Sequence, residues 1–246
     1  MHIENREWTA REVASRIDHT VLAPDATREM IEKACALARS YAFKAVFTNP
    51  CWTPFVAELL DGSGVAAGIS TAFPLGAIST KSKVAETMEV VERLRGRSCA
   101  VDMVTNLALL KDGRYAEYTN DIKAVVEALK GSGIIVKAIL ETSLLSDGEI
   151  RTACACAAEA GVNYAKTSTG RAGPPKLTDI QVMREALPPE IGIKFSGFGT
   201  HNAPELAFLA FLLGADLLGS PQGDVLVDAL AGRYGKLCAH FVTDKS

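Results

Sequence analysis

Apolar residues in this chain gather into short, nearly continuous runs, separated by longer stretches in which they recur every three or four positions. The runs read as buried strands and the intervening stretches as amphipathic helices. Residues 7–15 predict a short helix, and residues 16–22 the first strand. Further strands are expected over 45–48, 65–71, 99–105, 134–140, 163–170, 191–197 and 215–219. Helices follow over 27–40, about 52–61, 80–95, 114–130, 146–160, 178–187, 203–213 and 222–231. Breakers mark the joints: Pro24-Asp25-Ala26-Thr27 before one helix, Asn49-Pro50 after the second strand, Phe73-Pro74-Leu75-Gly76 after the third, and Gly161 closing a helix.

Strands that are apolar on both faces belong to parallel sheets covered by helices. Eight strand–helix units in 246 residues match a closed (β/α)8 TIM barrel, here with a short N-terminal helix. No glycine-rich dinucleotide fingerprint follows a strand, which disfavours an open doubly wound sheet. No linker or shift in composition divides the chain, so one domain over 1–246 is expected.

Composition narrows the functional classes. The net charge is −3 with no basic block, which leaves nucleic-acid binding unsupported. No apolar run reaches the length of a membrane span, and the polar start Met1-His2-Ile3-Glu4-Asn5-Arg6-Glu7 lacks a signal-peptide core. A cytoplasmic protein is expected. The six cysteines (Cys35, Cys51, Cys99, Cys154, Cys156, Cys238) have no disulfide or zinc spacing and read as buried free thiols. His2, His19, His201 and His240 are isolated, so no metal is expected. His19, beside Asp18, reads equally as a site residue or a structural one.

The chemistry lies in what interrupts the strands. Asp102, Lys137, Lys166 and Lys194 stand inside the fourth to seventh apolar runs. A lone strand lysine is readily explained by snorkelling. Lysines on three consecutive strands, with an aspartate on the strand before, are hard to explain as packing. Side-chain alternation would place Tyr164 and Ser168 on the face of Lys166, Ser196 on that of Lys194, and Glu141 on that of Lys137. Lys44, at the start of its strand, lies away from the face where barrels keep their active sites. Burial and a neighbouring ammonium both favour a neutral amine, and a neutral lysine attacks carbonyls. Two amines and a carboxylate therefore suggest a metal-free Schiff-base aldolase needing no cofactor.

In order along the chain stand Ile17-Asp18-His19-Thr20, Asn49-Pro50, Phe73-Pro74-Leu75-Gly76-Ala77 and Val101-Asp102-Met103-Val104. Lys137-Ala138-Ile139-Leu140-Glu141-Thr142, Lys166-Thr167-Ser168-Thr169-Gly170 and Lys194-Phe195-Ser196-Gly197 follow. Taken together they resemble the deoxyribose-phosphate aldolase family over nearly the whole chain. The resemblance implies a barrel that reversibly cleaves 2-deoxy-D-ribose 5-phosphate to acetaldehyde and D-glyceraldehyde 3-phosphate, in deoxyribonucleotide catabolism. It implies that Lys166 forms the Schiff base, Lys194 depresses its pKa, and Asp102 shuttles protons with a water. Asp18, Thr20 and Lys137 would support them. Its expected partners are a sugar phosphate and a short aldehyde, with a second copy in a homodimer.

The departures from the family pattern cluster. Phe47 replaces a common cysteine and is expected to narrow the pocket and make it more apolar. Arg171 stands where an aromatic usually follows Thr169-Gly170. After Ser196-Gly197 the usual second glycine, aliphatic and arginine give way to Phe198-Gly199-Thr200-His201-Asn202. Gly219-Ser220-Pro221 alters the loop after strand eight, where Pro221 offers no N–H. These last loops are where barrels hold phosphate. Either Arg171 compensates, or the substrate carries another tail or no phosphate. A catalytically silent sugar-phosphate-binding barrel is the alternative from another class, against which the retained Asp102, Lys166 and Lys194 argue.

Overall fold

The computed structural model describes residues 8–234. Within them, eight strands follow one another around the barrel in sequence order, each paired with its neighbours: β1 (Ile17–Val21), β2 (Ala45–Thr48), β3 (Ala66–Thr71), β4 (Cys99–Val104), β5 (Ile135–Ile139), β6 (Tyr164–Lys166), β7 (Gly192–Ser196) and β8 (Leu217–Ser220). All pairings are parallel, and β1 against β8 closes the barrel through Ile17 opposite Leu218.

The helices are α1 (Ala10–Ala14), α2 (Arg28–Tyr41), α3 (Thr53–Leu59), α4 (Thr80–Leu94) and α5 (Leu107–Lys111). They continue as α6 (Tyr115–Ala128), α7 (Asp147–Ala160), α8 (Leu177–Ala186), α9 (Ala203–Leu212) and α10 (Gly223–Ala229), which runs into a π-helical turn at Leu230–Tyr234. Local chemistry sets their ends. Thr27 accepts from the Met30 amide at the start of α2. Ser146 and Glu149 form a capping box on α7, which ends at left-handed Gly161.

Two elements differ from expectation. α5 is an extra turn between β4 and α6, too short to carry a helical period. β6 stops at Lys166 because the Thr167 hydroxyl takes over the pairing, donating to the Ser196 carbonyl at 2.9 Å and accepting from the Ser196 amide at 3.0 Å. Lys166 thus stands at the C-terminal rim of its strand.

The main core is the shell between strands and helices, where the outward-facing strand residues Val46, Ile69, Val101, Met103, Val136, Ala138, Ala165, Ile193, Phe195 and Leu218 meet the helices. The inward positions are different in kind. Ala45, Phe47 and Ala100, with Ala66 and Ile135 against them, form a small apolar cluster inside the barrel. Further along the barrel the interior is ionic. Cys35, Cys154 and Cys156 are buried as expected, but Cys99 is only half-buried and Cys51 is exposed, since it lies in the turn before α3. Cys238, His2 and His240 lie outside the described residues. Among the described residues no helix is long and apolar enough to cross a membrane.

Candidate active site

Strand alternation carries Asp18, Asp102, Lys137, Lys166 and Lys194 into the barrel, each buried to 2% exposure or less. Register brings Asp102 beside Lys137 and Lys166 beside Lys194. Asp102 is the hub: its Oδ2 accepts from Lys166 Nζ at 2.8 Å and from Lys194 Nζ at 2.7 Å. Lys194 Nζ also lies 2.7 Å from Asp18 Oδ2. Lys137 Nζ lies 3.2 Å from Asp18 Oδ2 and 3.4 Å from Asp102 Oδ1. Neither Lys137 Nζ nor the Asp18 oxygens have well-aligned hydrogen bonds, so those contacts act through charge alone.

The charges do not balance. Lys137, Lys166 and Lys194 face Asp18 and Asp102, so fully ionised they leave one positive charge in a low-dielectric interior. Losing one proton restores neutrality. Burial pushes the Lys166 amine below its ordinary pKa, and Lys194 pushes it further down, against the pull of Asp102. Burial alone would raise the Asp102 carboxyl, but Lys166, Lys194 and Lys137 overrule it and hold the group far below the carboxylate range. The arrangement favours a neutral Lys166 beside an ionised Asp102.

A cavity of about 610 Å³ opens over this cluster. Lys166 borders it, whereas Lys194 and Lys137, each with 0% exposure, lie behind. Of the residues named from the sequence, Thr20, Thr169, Gly170, Arg171, Ser196, Gly197 and Gly219 line it. Asp18 and Lys137 lie in the buried cluster off its wall, and two further expected residues are elsewhere. Phe47 is not on the pocket wall but deeper in the barrel, its ring centroid 4.1 Å from Lys194 Nζ and 4.4 Å from Lys137 Nζ. It cannot narrow a pocket that it does not reach. Ser220 is out of phase with inward Gly219, and its hydroxyl accepts from the Gln222 amide at 3.1 Å. His19 is likewise out of phase with Asp18. Although it borders the cavity, its ring stacks on Phe43, and burial lowers it to about 4 against an opposing effect of Asp224. A neutral packing role accounts for it.

The sequence reading missed the wall contributed by Leu22 and Ala23 of the β1–α2 turn, by Met30 and Lys33 of α2, and by Phe73. It also missed what sets the loop after β6. The Glu141 carboxylate accepts from the Thr169 amide at 3.1 Å and from the Ser143 hydroxyl at 3.2 Å. Gly170 and Gly197 let the loops after β6 and β7 touch backbone to backbone; a Cβ on Gly170 would sit 2.9 Å from the Gly197 Cα. Arg171 reaches across the mouth, its Nη2 donating to the Leu22 carbonyl at 3.0 Å.

No family model matches the chain. Curated relatives do. It is 42% identical over 221 residues to deoxyribose-phosphate aldolase 1 of Bacillus licheniformis, covering 89% of this chain and 96% of that one. The chain belongs to the deoxyribose-phosphate aldolase family. The family's protein from Aciduliprofundum boonei is 40% identical over 223 residues, 90% of this chain and 98% of that one. Among solved structures, a protein designated a deoxyribose-phosphate aldolase from Coccidioides immitis superposes with a TM-score of 0.83 at 32% identity, over 92% of this chain and 88% of its own. The tetrameric deoxyribose phosphate aldolase of Aeropyrum pernix gives 0.82 at 26% identity, over 92% of this chain and 93% of its own. As a deoxyribose-phosphate aldolase family member, this chain is a lyase built on a closed (β/α)8 barrel.

Proposed function

We propose that this chain reversibly cleaves 2-deoxy-D-ribose 5-phosphate to acetaldehyde and D-glyceraldehyde 3-phosphate, with Lys166 as the Schiff-base nucleophile, Asp102 as proton shuttle and Lys194 as the cation beside them. One observation carries the reading: of the clustered lysines, Lys166 borders the cavity and Lys194 and Lys137 do not.

The neutral Lys166 amine adds to the C1 aldehyde, and the carbinolamine loses water to give an iminium. Asp102, held as a carboxylate, orients a water that takes up and returns protons. Removing the proton of the C3 hydroxyl breaks the C2–C3 bond, and its electron pair enters the iminium as an enamine. D-glyceraldehyde 3-phosphate leaves. Protonation of the enamine at C2 and hydrolysis then release acetaldehyde and free Lys166. Lys137 and Asp18 hold the charge pattern, while Thr20 and Ser196 line the substrate's path.

Arg171 supplies the positive charge at the mouth for the 5-phosphate, through a charge-assisted contact. A second reading takes an acceptor with a different or unphosphorylated tail. It is favoured by the Arg171 guanidinium already engaging the Leu22 carbonyl and by Pro221, without an N–H, on the cavity wall. Borohydride trapping with acetaldehyde, followed by peptide mapping, tests the nucleophile. A reduced ethyl adduct on Lys166, absent from Lys166→Ala, is expected; an adduct on another lysine overturns the assignment. Arg171→Ala should raise KM for the phosphorylated sugar and leave that for the unphosphorylated sugar unchanged. A KM for the phosphorylated sugar left unchanged by Arg171→Ala would favour the second reading.

A further inference from the structure

Phe47 has a position that the cleavage chemistry does not explain. It is fully buried on β2, the member of the small apolar cluster inside the barrel that meets the lysine–aspartate group. Lys194 Nζ and Lys137 Nζ both stand over its ring. Space for the ring is built in: Gly68 lies beside Phe47 in register, and a Cβ there would come within 2.3 Å of the ring. Among the described residues Lys166 has no such ring contact.

An aromatic face attracts an ammonium ion through its quadrupole and does little for a neutral amine, and the attraction grows when both are desolvated. The cluster therefore has forms of unequal standing once one proton has left. If the proton leaves Lys166, both ring contacts keep their cations. If it leaves Lys194 or Lys137, one contact is lost. The ring has no contact of its own with the Lys166 amine and acts on it only through the other two. It weights the competition against the other two amines.

We propose that Phe47 is a positioning residue that holds Lys194 and Lys137 as ammonium ions, so that the neutral amine of this interior is the one facing the cavity. The inference rests on the reading of Lys166 as nucleophile. The charged and titratable groups that share the space are Asp18 from β1, Asp102 from β4, Lys137 from β5, Tyr164 and Lys166 from β6, and Lys194 from β7. β2 contributes the ring and β3 the gap that admits it.

The test replaces Phe47 by a series of increasingly fluorinated phenylalanines, which drain the ring face of electron density while keeping its shape. The protonation of each lysine is read from its side-chain Cε resonance across a pH titration. Borohydride trapping with acetaldehyde is followed in parallel. Along the series, neutral amine should shift from Lys166 to Lys194 and Lys137, by roughly 2- to 30-fold in their ratio for the full loss of the contact. The trapping rate at Lys166 should follow the fraction of that amine left neutral, with the concentration dependence on acetaldehyde unchanged. A distribution that stays constant through the series, with Lys166 neutral and trapped throughout, overturns the role of Phe47 and leaves Lys166 as nucleophile. An unsubstituted protein in which Lys166 is charged at neutral pH and gives no adduct overturns both.

Discussion

Lys166 stands at a position where a charge is costly to keep and easy to lose. Burial and Lys194 both lower its pKa, so at low pH the amine is protonated and cannot attack. The cleavage rate should rise as pH climbs through that depressed value and level off well before the ordinary lysine pKa of about 10.4. A rate that only begins to climb near that ordinary value would contradict the depressed amine. Asp102→Asn removes the hub that both Lys166 and Lys194 donate to, and kcat should fall by about 10²- to 10⁴-fold. The lysines and Asp102 were legible in the sequence because a charge inside an apolar run has few inexpensive explanations. Strand parity held further information: once Asp18 faces inward, Thr20 must follow and His19 must face the helices, and Gly219 inward puts Ser220 out. The depth of Phe47 was not legible, since the stagger of strands around a barrel leaves no mark in any single strand.

Between elements, the notable feature away from the pocket is a lysine the sequence reading placed only on a helix. Lys83 of α4 is fully buried, 2.5 Å from Asp121 Oδ2 of α6, and it also donates to the Val104 carbonyl at the end of β4 at 3.0 Å. Thr80 donates to the other Asp121 oxygen at 2.8 Å. Removing either partner strands a buried charge, so Lys83→Ala or Asp121→Ala should cost about 3–5 kcal/mol in urea unfolding. A double replacement by apolar residues of similar volume should cost less than either single change. The pairing of Phe47 with Gly68 works at the same scale. Gly68→Ala would force the ring aside and should lower stability by about 1–3 kcal/mol, part of which Phe47→Leu recovers. Elements with a full helical period were legible, and their ends fell close to the cap residues. α5 was not, because a single turn shows no period, and the early end of β6 depends on a Thr167 hydroxyl whose partner lies on another strand.

For the molecule as a whole, the closed barrel followed from eight apolar runs of a kind found only where both faces are covered. The barrel divides its labour by layer, with the apolar shell giving cohesion and the interior holding the ions. Lys137→Met tests that division. With Lys194 left to face Asp18 and Asp102, a proton on Lys166 restores neutrality. Cleavage at neutral pH should fall and its rise move to higher pH, while the melting temperature changes little because Lys166 replaces the missing cation. A large drop in melting temperature would show that Lys137 is needed for cohesion instead.

The cavity also reaches as far as the outer helix α2. Its wall climbs from Lys166 towards the β1–α2 turn, past Leu22 and Ala23 to Met30 and Lys33, while Arg171 spans to Leu22 from the opposite loop. A substrate anchored at Lys166 therefore has a heading. Acceptor aldehydes that outgrow the pocket would emerge over α2, and the side chains along that route, far from the amine, set how long a carbon chain this barrel can join.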